Sequence, residues 1–184
     1  ARLMPEMTDS LAAEGFQATL MQRGISKEEL DALWSGLPAK TRKSPKLIHL
    51  RSQALNMLGR GNEAEREIRA ALKRHWDKEL VLGYGQIETE EPLQQLKRAE
   101  EWLKAYPEDA SLLVTTARLC MVNELWGKAK SYLESSIAIA PGSNVYALYG
   151  QLLNKLGQEE EAKAAFCSGL ALVTDPVADP PWRS

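Results

Sequence analysis

Residues 110–142, ASLLVTTARLCMVNELWGKAKSYLESSIAIAPG, contain two helix-forming stretches that are separated by a short turn. The turn is marked by Glu124-Leu125-Trp126-Gly127, and apolar residues recur at helical spacing on both sides of it. The second stretch presents a small, a large and a small side chain in order, at Ala129, Leu133 and Ser136. Small side chains at helical spacing let two helices pack at a short separation. The stretch therefore predicts a helix–turn–helix unit.

The same arrangement recurs along the chain. A small–large–small triplet begins at Ala162, 33 residues later, and another begins at Ala64, 65 residues earlier. Pro107 and Pro141 close units that are 34 residues apart. A helix–turn–helix of this length is typical of the tetratricopeptide repeat (TPR). No segment alternates polar and apolar residues cleanly enough for a β-strand. The predicted fold is therefore all-α, a TPR solenoid coiled as a right-handed superhelix.

The predicted organisation has three parts. These are an N-terminal helical segment (1–44), four repeats (45–175) and a proline-rich tail (176–184). The repeats span about 45–76, 77–109, 110–142 and 143–175. The second repeat is degenerate, because Gly83 and Gly85 interrupt its first helix and Trp102 replaces a small residue. Apolar residues are expected at the end of repeat 4, covered by the tail or by a second copy in a homodimer.

Composition narrows the class of protein. Of 184 residues, 44% are apolar and 26% are charged, which fits a globular chain and excludes collagen-like and disordered classes. The net charge of −2 provides no positive field for nucleic acid. No apolar run approaches the ~18 residues of a membrane span. The two cysteines lack metal-ligand spacing.

Residue types that catalyse reactions are scattered. Cys120 takes a helix position that a core side chain fills, so we expect it to be buried rather than nucleophilic. Neither His75 nor the carboxylate runs at 88–91 and 159–161 forms a recognisable constellation. The sequence therefore predicts no catalytic, metal or cofactor site, and no enzyme. Lys40, Arg42, Lys43 and Lys46 form a basic cluster, which indicates a polar loop or, alternatively, a contact with anionic lipid or an acidic segment.

Several longer segments of the sequence resemble one protein family. They are LWSGLPAKTRKSP (33–45), ALKRHWDKELVLGYG (71–85), the stretch from AEEWLKAYPEDASLL to SYLESSIAIAP (99–141) and YALYGQLLNKLGQEEEAKAAFCSGL (146–170). Together they are similar to the C-terminal domain of the HemY family of proteobacteria, over about residues 30–173. The sequence lacks a Gly-x-Gly-x-x-Gly motif after a strand, so it is not the flavin-dependent oxidase that shares the name.

The resemblance implies a function that the repeat alone does not. Family members carry two N-terminal helices in the bacterial inner membrane, followed by a TPR domain that faces the cytoplasm. Their genes lie beside those of haem synthesis, and they are regarded as organisers of its late steps rather than enzymes. On this resemblance the partners are haem-synthesis enzymes. The membrane helices are absent from the given sequence.

The predicted binding surface is the concave face formed by the first helix of each repeat. Its amide and basic groups suit an acidic or extended peptide, whose backbone pairs with Asn and Gln. The predicted groove residues are Lys46, His49, Gln53, Asn56, Arg118, Met121, Asn144, Ala147, Gln151 and Asn154.

The alternative hypothesis is a haem or porphyrin carrier. It requires an apolar slot and an axial ligand to iron, for which His49 and Tyr84 are the candidates. The degenerate second repeat, with Tyr84 and Trp102, is where such a slot is expected.

Overall fold

The computed structural model describes residues 11, 14–19 and 25–174. All regular secondary structure in these residues is helical, as the sequence predicted, and residues 14–19 are helical too. The helices of residues 25–174 are α1 (Lys27–Gly36), a 3₁₀ turn (Thr41–Lys43), α2 (Pro45–Met57), α3 (Gly61–Arg74), α4 (Lys78–Tyr84), α5 (Pro92–Ala105), α6 (Ala110–Val122), α7 (Trp126–Ile139), α8 (Ser143–Lys155) and α9 (Glu159–Ala171).

The chain divides into two compact units, Ala1–Pro92 and Leu93–Ser184, here called unit 1 and unit 2. The division into four repeats stays a prediction, although a helix pair begins near each expected boundary. In the second predicted repeat, α4 has only 7 residues; Gly83 lies within this helix, and Gly85 follows its last residue, Tyr84.

Local sequence explains where the helices of unit 1 begin. Ser26 and Glu29 form a capping box: the Glu29 N–H donates to Ser26 Oγ at 3.1 Å and the Ser26 N–H donates to Glu29 Oε2 at 2.8 Å. Asp77 caps α4 by accepting a hydrogen bond from the Leu80 N–H. Between α2 and α3, Gly59 adopts a φ of 72°, which a residue with a side chain rarely adopts.

A buried cation holds α1 against the first helix pair. Arg51 on α2 lies within 3.3 Å of carboxylate oxygens of Asp31, Glu63 and Glu67. Its guanidinium carbon also lies 4.7 Å from the centre of the Trp34 ring. Unit 1 therefore contains an ion-pair network that the repeat pattern did not predict.

Small residues position the helix pairs of unit 2. Ala129 and Ala162 are both 0% exposed, which confirms that these small residues of the second helix in each pair are buried. Gly150 on α8 faces the Phe166 ring on α9, and a Cβ there would lie 2.6 Å from that ring. Cys120 is buried, as expected.

The described part of unit 2 ends in apolar surface. Leu170 on α9 is 60% exposed and Val173 is 65% exposed, which confirms the expected apolar end. The tail that was expected to cover it lies outside the described residues. No helix in the described part of the chain has the length and apolar character needed to cross a membrane.

Candidate functional site

Unit 1 contains a recess between α2, α3 and α4, here called the amide cleft, with a volume of about 380 Å³. Three predicted groove residues on α2 line it: His49, Gln53 and Asn56. They share one helix face because they are spaced by three or four residues. The other lining residues are Ser52, Met57, Ile68, Gly83, Gln86 and Ile87.

A second recess of about 560 Å³, here called the charged cleft, shares His49 with the first. Lys46 also lines it, as do Ser44, Pro45 and Leu50. The structure adds two carboxylates that the groove prediction missed, Asp77 and Glu79 at the start of α4. Only the packing of α4 against α2 brings them there, so spacing within one helix gave no signal.

His49 is half-buried between the two clefts. Its imidazole lies against Gly83, where a Cβ would approach Nδ1 to 2.7 Å, so α4 needs glycine there. Nδ1 is buried and has no hydrogen-bond partner among the residues that the structure describes. Burial lowers the pKa of His49, although the carboxylates of Glu79 and Asp77 act in the opposite direction. The imidazole is therefore neutral at pH 7.

Asn56 binds the chain's own backbone. Its Nδ2 donates to the Gln86 carbonyl oxygen at 3.3 Å, and its Oδ1 accepts from the Glu88 N–H at 2.8 Å. Asn62 accepts from the Glu90 N–H in the same way, at 3.1 Å. The segment passes so close that a Cβ on Gly61 would lie 1.7 Å from the Glu88 carbonyl oxygen. Asn56 and Asn62 therefore anchor residues 86–90, a role that the sequence did not predict.

The predicted groove residues of unit 2 lie on α6 and α8. Arg118 and Met121 are half-buried on α6. Burial lowers the pKa of Arg118, and its guanidinium forms no ion pair within the described residues. On α8, Ala147 is half-buried, while Asn144, Gln151 and Asn154 are exposed. Asn144 Oδ1 accepts from the Val145 N–H, so this amide is partly engaged at the start of α8.

Tyr84 is not available as a haem ligand. Its ring is 0% exposed, and its hydroxyl donates to Glu65 Oε1 at 2.9 Å. The slot expected at Tyr84 is therefore filled by packing, which corrects that part of the carrier hypothesis. His49 remains beside an open cleft.

Groups capable of nucleophilic or metal chemistry are not assembled in the described residues. No cluster of three or more His, Cys, Asp or Glu side chains there has the geometry to hold a metal ion. Burial and the Glu100 carboxylate raise the pKa of the Cys120 thiol to about 11, so it is protonated at neutral pH. Cys167 is exposed on α9.

Solved structures with similar folds are repeat proteins. A thermophilic TPR protein of Thermus thermophilus, TTC0263, matches with a TM-score of 0.58 and 18% identity, over 90% of this chain and 87% of that one. MamA (residue 41 to the end) from Desulfovibrio magneticus RS-1 matches with a TM-score of 0.51 and 17% identity, over 89% and 94%. No protein-family model and no curated protein matches the sequence. These likenesses establish the TPR fold and do not extend to function.

Proposed function

We propose that this TPR chain is a non-enzymatic scaffold, and that the α2–α4 side of unit 1 binds a segment of a partner protein. The amide cleft is the observation that supports this most directly. It is open, has an apolar floor, and presents Gln53, an exposed amide with no hydrogen bond in the described part of the chain. An amide can donate and accept at once, so it can pair with an extended peptide backbone.

The finer proposal is that the partner belongs to late haem synthesis at the bacterial inner membrane. It rests on the resemblance of several sequence segments to the HemY family. The exposed amides of α8 and the half-buried Arg118 of α6 make unit 2 a second candidate contact. Both units would then contribute to holding enzymes together rather than to a reaction.

Site-specific crosslinking tests the scaffold proposal. A photo-reactive amino acid replaces Gln53 in the cleft and, as the control, exposed Arg66 on α3. We expect a specific protein adduct from position 53 that position 66 does not give. The adduct's identity decides the haem proposal, since an adduct with a protein outside haem synthesis would refute it. Failure of the purified partner to bind the wild-type chain would refute the scaffold itself.

Charge-reversal variants provide a second test of the scaffold proposal. If the identified partner presents an acidic segment, as the sequence predicted, Lys46→Glu and Arg118→Glu should weaken its binding, whereas a basic segment at the charged cleft should bind Lys46→Glu more tightly. The melting temperature should change little for exposed Lys46. A large fall in melting temperature with unchanged affinity for the partner would show that these residues are structural.

Haem titration distinguishes the carrier hypothesis from the scaffold proposal. His49 beside an open cleft is the remaining feature that favours a carrier. A Soret band that disappears in His49→Ala would support the carrier. An unchanged haem spectrum would reject the carrier hypothesis and leave the scaffold proposal standing.

A further inference from the structure

The described residues that line the amide cleft carry no formal charge. Its floor is formed by Ile68, which is 0% exposed, and Ile87, which is 6% exposed. The polar groups around this floor are amides, one hydroxyl and the neutral imidazole of His49. A charged group entering here would lose water without gaining an opposite charge, whereas an apolar side chain would gain from burial. The cleft therefore favours an uncharged, apolar side chain.

The charged cleft has an excess of negative charge. Among the described residues that line it, Asp77 and Glu79 are acidic, and Lys46 is the one basic residue. Neither carboxylate forms an ion pair with a described residue, although Asp77 accepts the capping hydrogen bond from Leu80. Both carboxylates act electrostatically on His49, the residue that the two clefts share. A cationic side chain is the complement of this cleft.

A side chain on this face of α2 already binds backbone groups of the chain's own segment after α4. Asn56 pairs with both the carbonyl oxygen of Gln86 and the N–H of Glu88. Gln53 precedes Asn56 by three residues, so it lies on the same helix face. An incoming backbone that runs beside the chain's own segment can therefore meet the exposed amide of Gln53.

We propose that the segment recognised by unit 1 is an extended peptide that places an apolar side chain in the amide cleft and a neighbouring lysine or arginine against Asp77 and Glu79. This inference rests on the scaffold proposal and deepens it. It differs from the acidic segment expected from the sequence, because Asp77 and Glu79 come from the neighbouring helix.

Three mixtures of short, fluorescently labelled peptides test the inference against the whole chain. Each peptide has one leucine in a Gly/Ser/Ala background, and a nearby position holds Lys, Ser or Glu. Fluorescence polarisation should give the affinity order Lys, then Ser, then Glu, with on the order of tenfold between the extremes, since like charges at a rim disfavour binding. Equal affinities, the opposite order or no binding by any mixture would overturn the inference.

A matched pair of variants tests whether Glu79 is responsible for the preference for Lys peptides. Glu79→Lys should abolish or invert the preference for Lys peptides. Glu28→Lys should leave the preference intact, because Glu28 is likewise an exposed glutamate in a first helical turn, but on α1. A preference that survives Glu79→Lys would contradict the assignment. The chain has two histidines, so the proton signal of the His49 ring can be assigned with His49→Gln, and it should shift on binding while that of His75 does not.

The two proposals can fail separately. Crosslinking from position 53 decides whether unit 1 binds a protein at all. The peptide mixtures decide which side chains it prefers. A partner adduct together with no preference for Lys peptides would leave the scaffold proposal standing and reject the inference.

Discussion

Arg51 shows how much one residue can contribute to a repeat protein. It is 6% exposed, yet it neutralises carboxylates from two helices and stacks on Trp34. Replacing it with methionine would keep much of the volume but remove the cation that pairs with Glu67, while Asp31 and Glu63 would keep their ion pairs with Arg60. Removing one partner of a buried ion pair is costly because the other charges stay desolvated.

We therefore expect Arg51→Met to lower the free energy of unfolding by about 2–3 kcal/mol, less than for a fully buried pair because the partners are partly exposed. Urea denaturation followed by circular dichroism measures this. Arg66→Met is the control, since Arg66 is exposed on α3, and it should change stability by less than about 0.5 kcal/mol. Equal effects of the two substitutions would show that the network contributes nothing.

His49 should make stability depend on pH. Its pKa is lowered in the folded protein from the ordinary value of 6.5, so the unfolded chain takes up the proton first as pH falls. The stabilisation is complete above pH 6.5 and is lost as the pH falls through the lower pKa of the folded state. We expect the wild type to lose more stability than His49→Gln between about pH 7.5 and about pH 5.5. Parallel pH profiles in urea denaturation would contradict this.

At the scale of the element, the helix pairs of unit 2 were predictable from local pattern. The small side chains of Ala129 and Ala162 predict the close approach of two helices, and both residues are buried. The side-chain environment of unit 1 was not predictable in the same way. Asp31 reaches Arg51 from outside the repeats, and Asp77 and Glu79 reach the cleft from a short, irregular helix. Such contacts depend on tertiary packing, which no spacing within one helix encodes.

The α8–α9 pair should not tolerate a larger side chain at Ala162. We expect Ala162→Leu to cost about 1–3 kcal/mol of stability, because extra methyl groups in a packed core force side chains and backbone to move. Ala164→Leu is the matched control on the same helix, where the side chain is exposed. Thermal and urea denaturation measure both. A tolerated Ala162→Leu would show that the two helices are not in close contact.

The segment after α4 should loosen when its anchor is removed. Asn56→Ala deletes two hydrogen bonds to the backbone of residues 86–88, so we expect a loss of about 1–2 kcal/mol. The direct readout is faster hydrogen exchange at the Glu88 N–H. Asn154→Ala is the control, because Asn154 takes the matching position on α8 and its side chain is exposed. Unchanged exchange at Glu88 would mean that the segment is held by other contacts.

At the scale of the whole molecule, the described chain ends in exposed apolar side chains. Phe166, Leu170 and Val173 are 37%, 60% and 65% exposed on or just after α9. A solenoid normally covers its terminal helices with polar residues. This end should therefore bind apolar probes and promote self-association.

We expect Leu170→Lys to reduce the binding of a hydrophobic dye and to lower any self-association seen by light scattering. Ile139→Lys is the control, because Ile139 is 48% exposed at the end of α7. The same assay tests the predicted role of the tail. Truncation after Thr174 should raise dye binding if the tail covers this end. Equal dye binding by the 184-residue chain and the truncated chain would refute that role.

The central claim is that the α2–α4 side of unit 1 is where a partner segment binds. Mapping amide chemical shifts of the whole chain, with and without the segment identified by crosslinking, tests it most directly. The account predicts the largest changes at His49, Gln53 and Gly83, around the two clefts. Changes confined to exposed residues of α3 such as Arg66, or to unit 2, with none around His49, would contradict it.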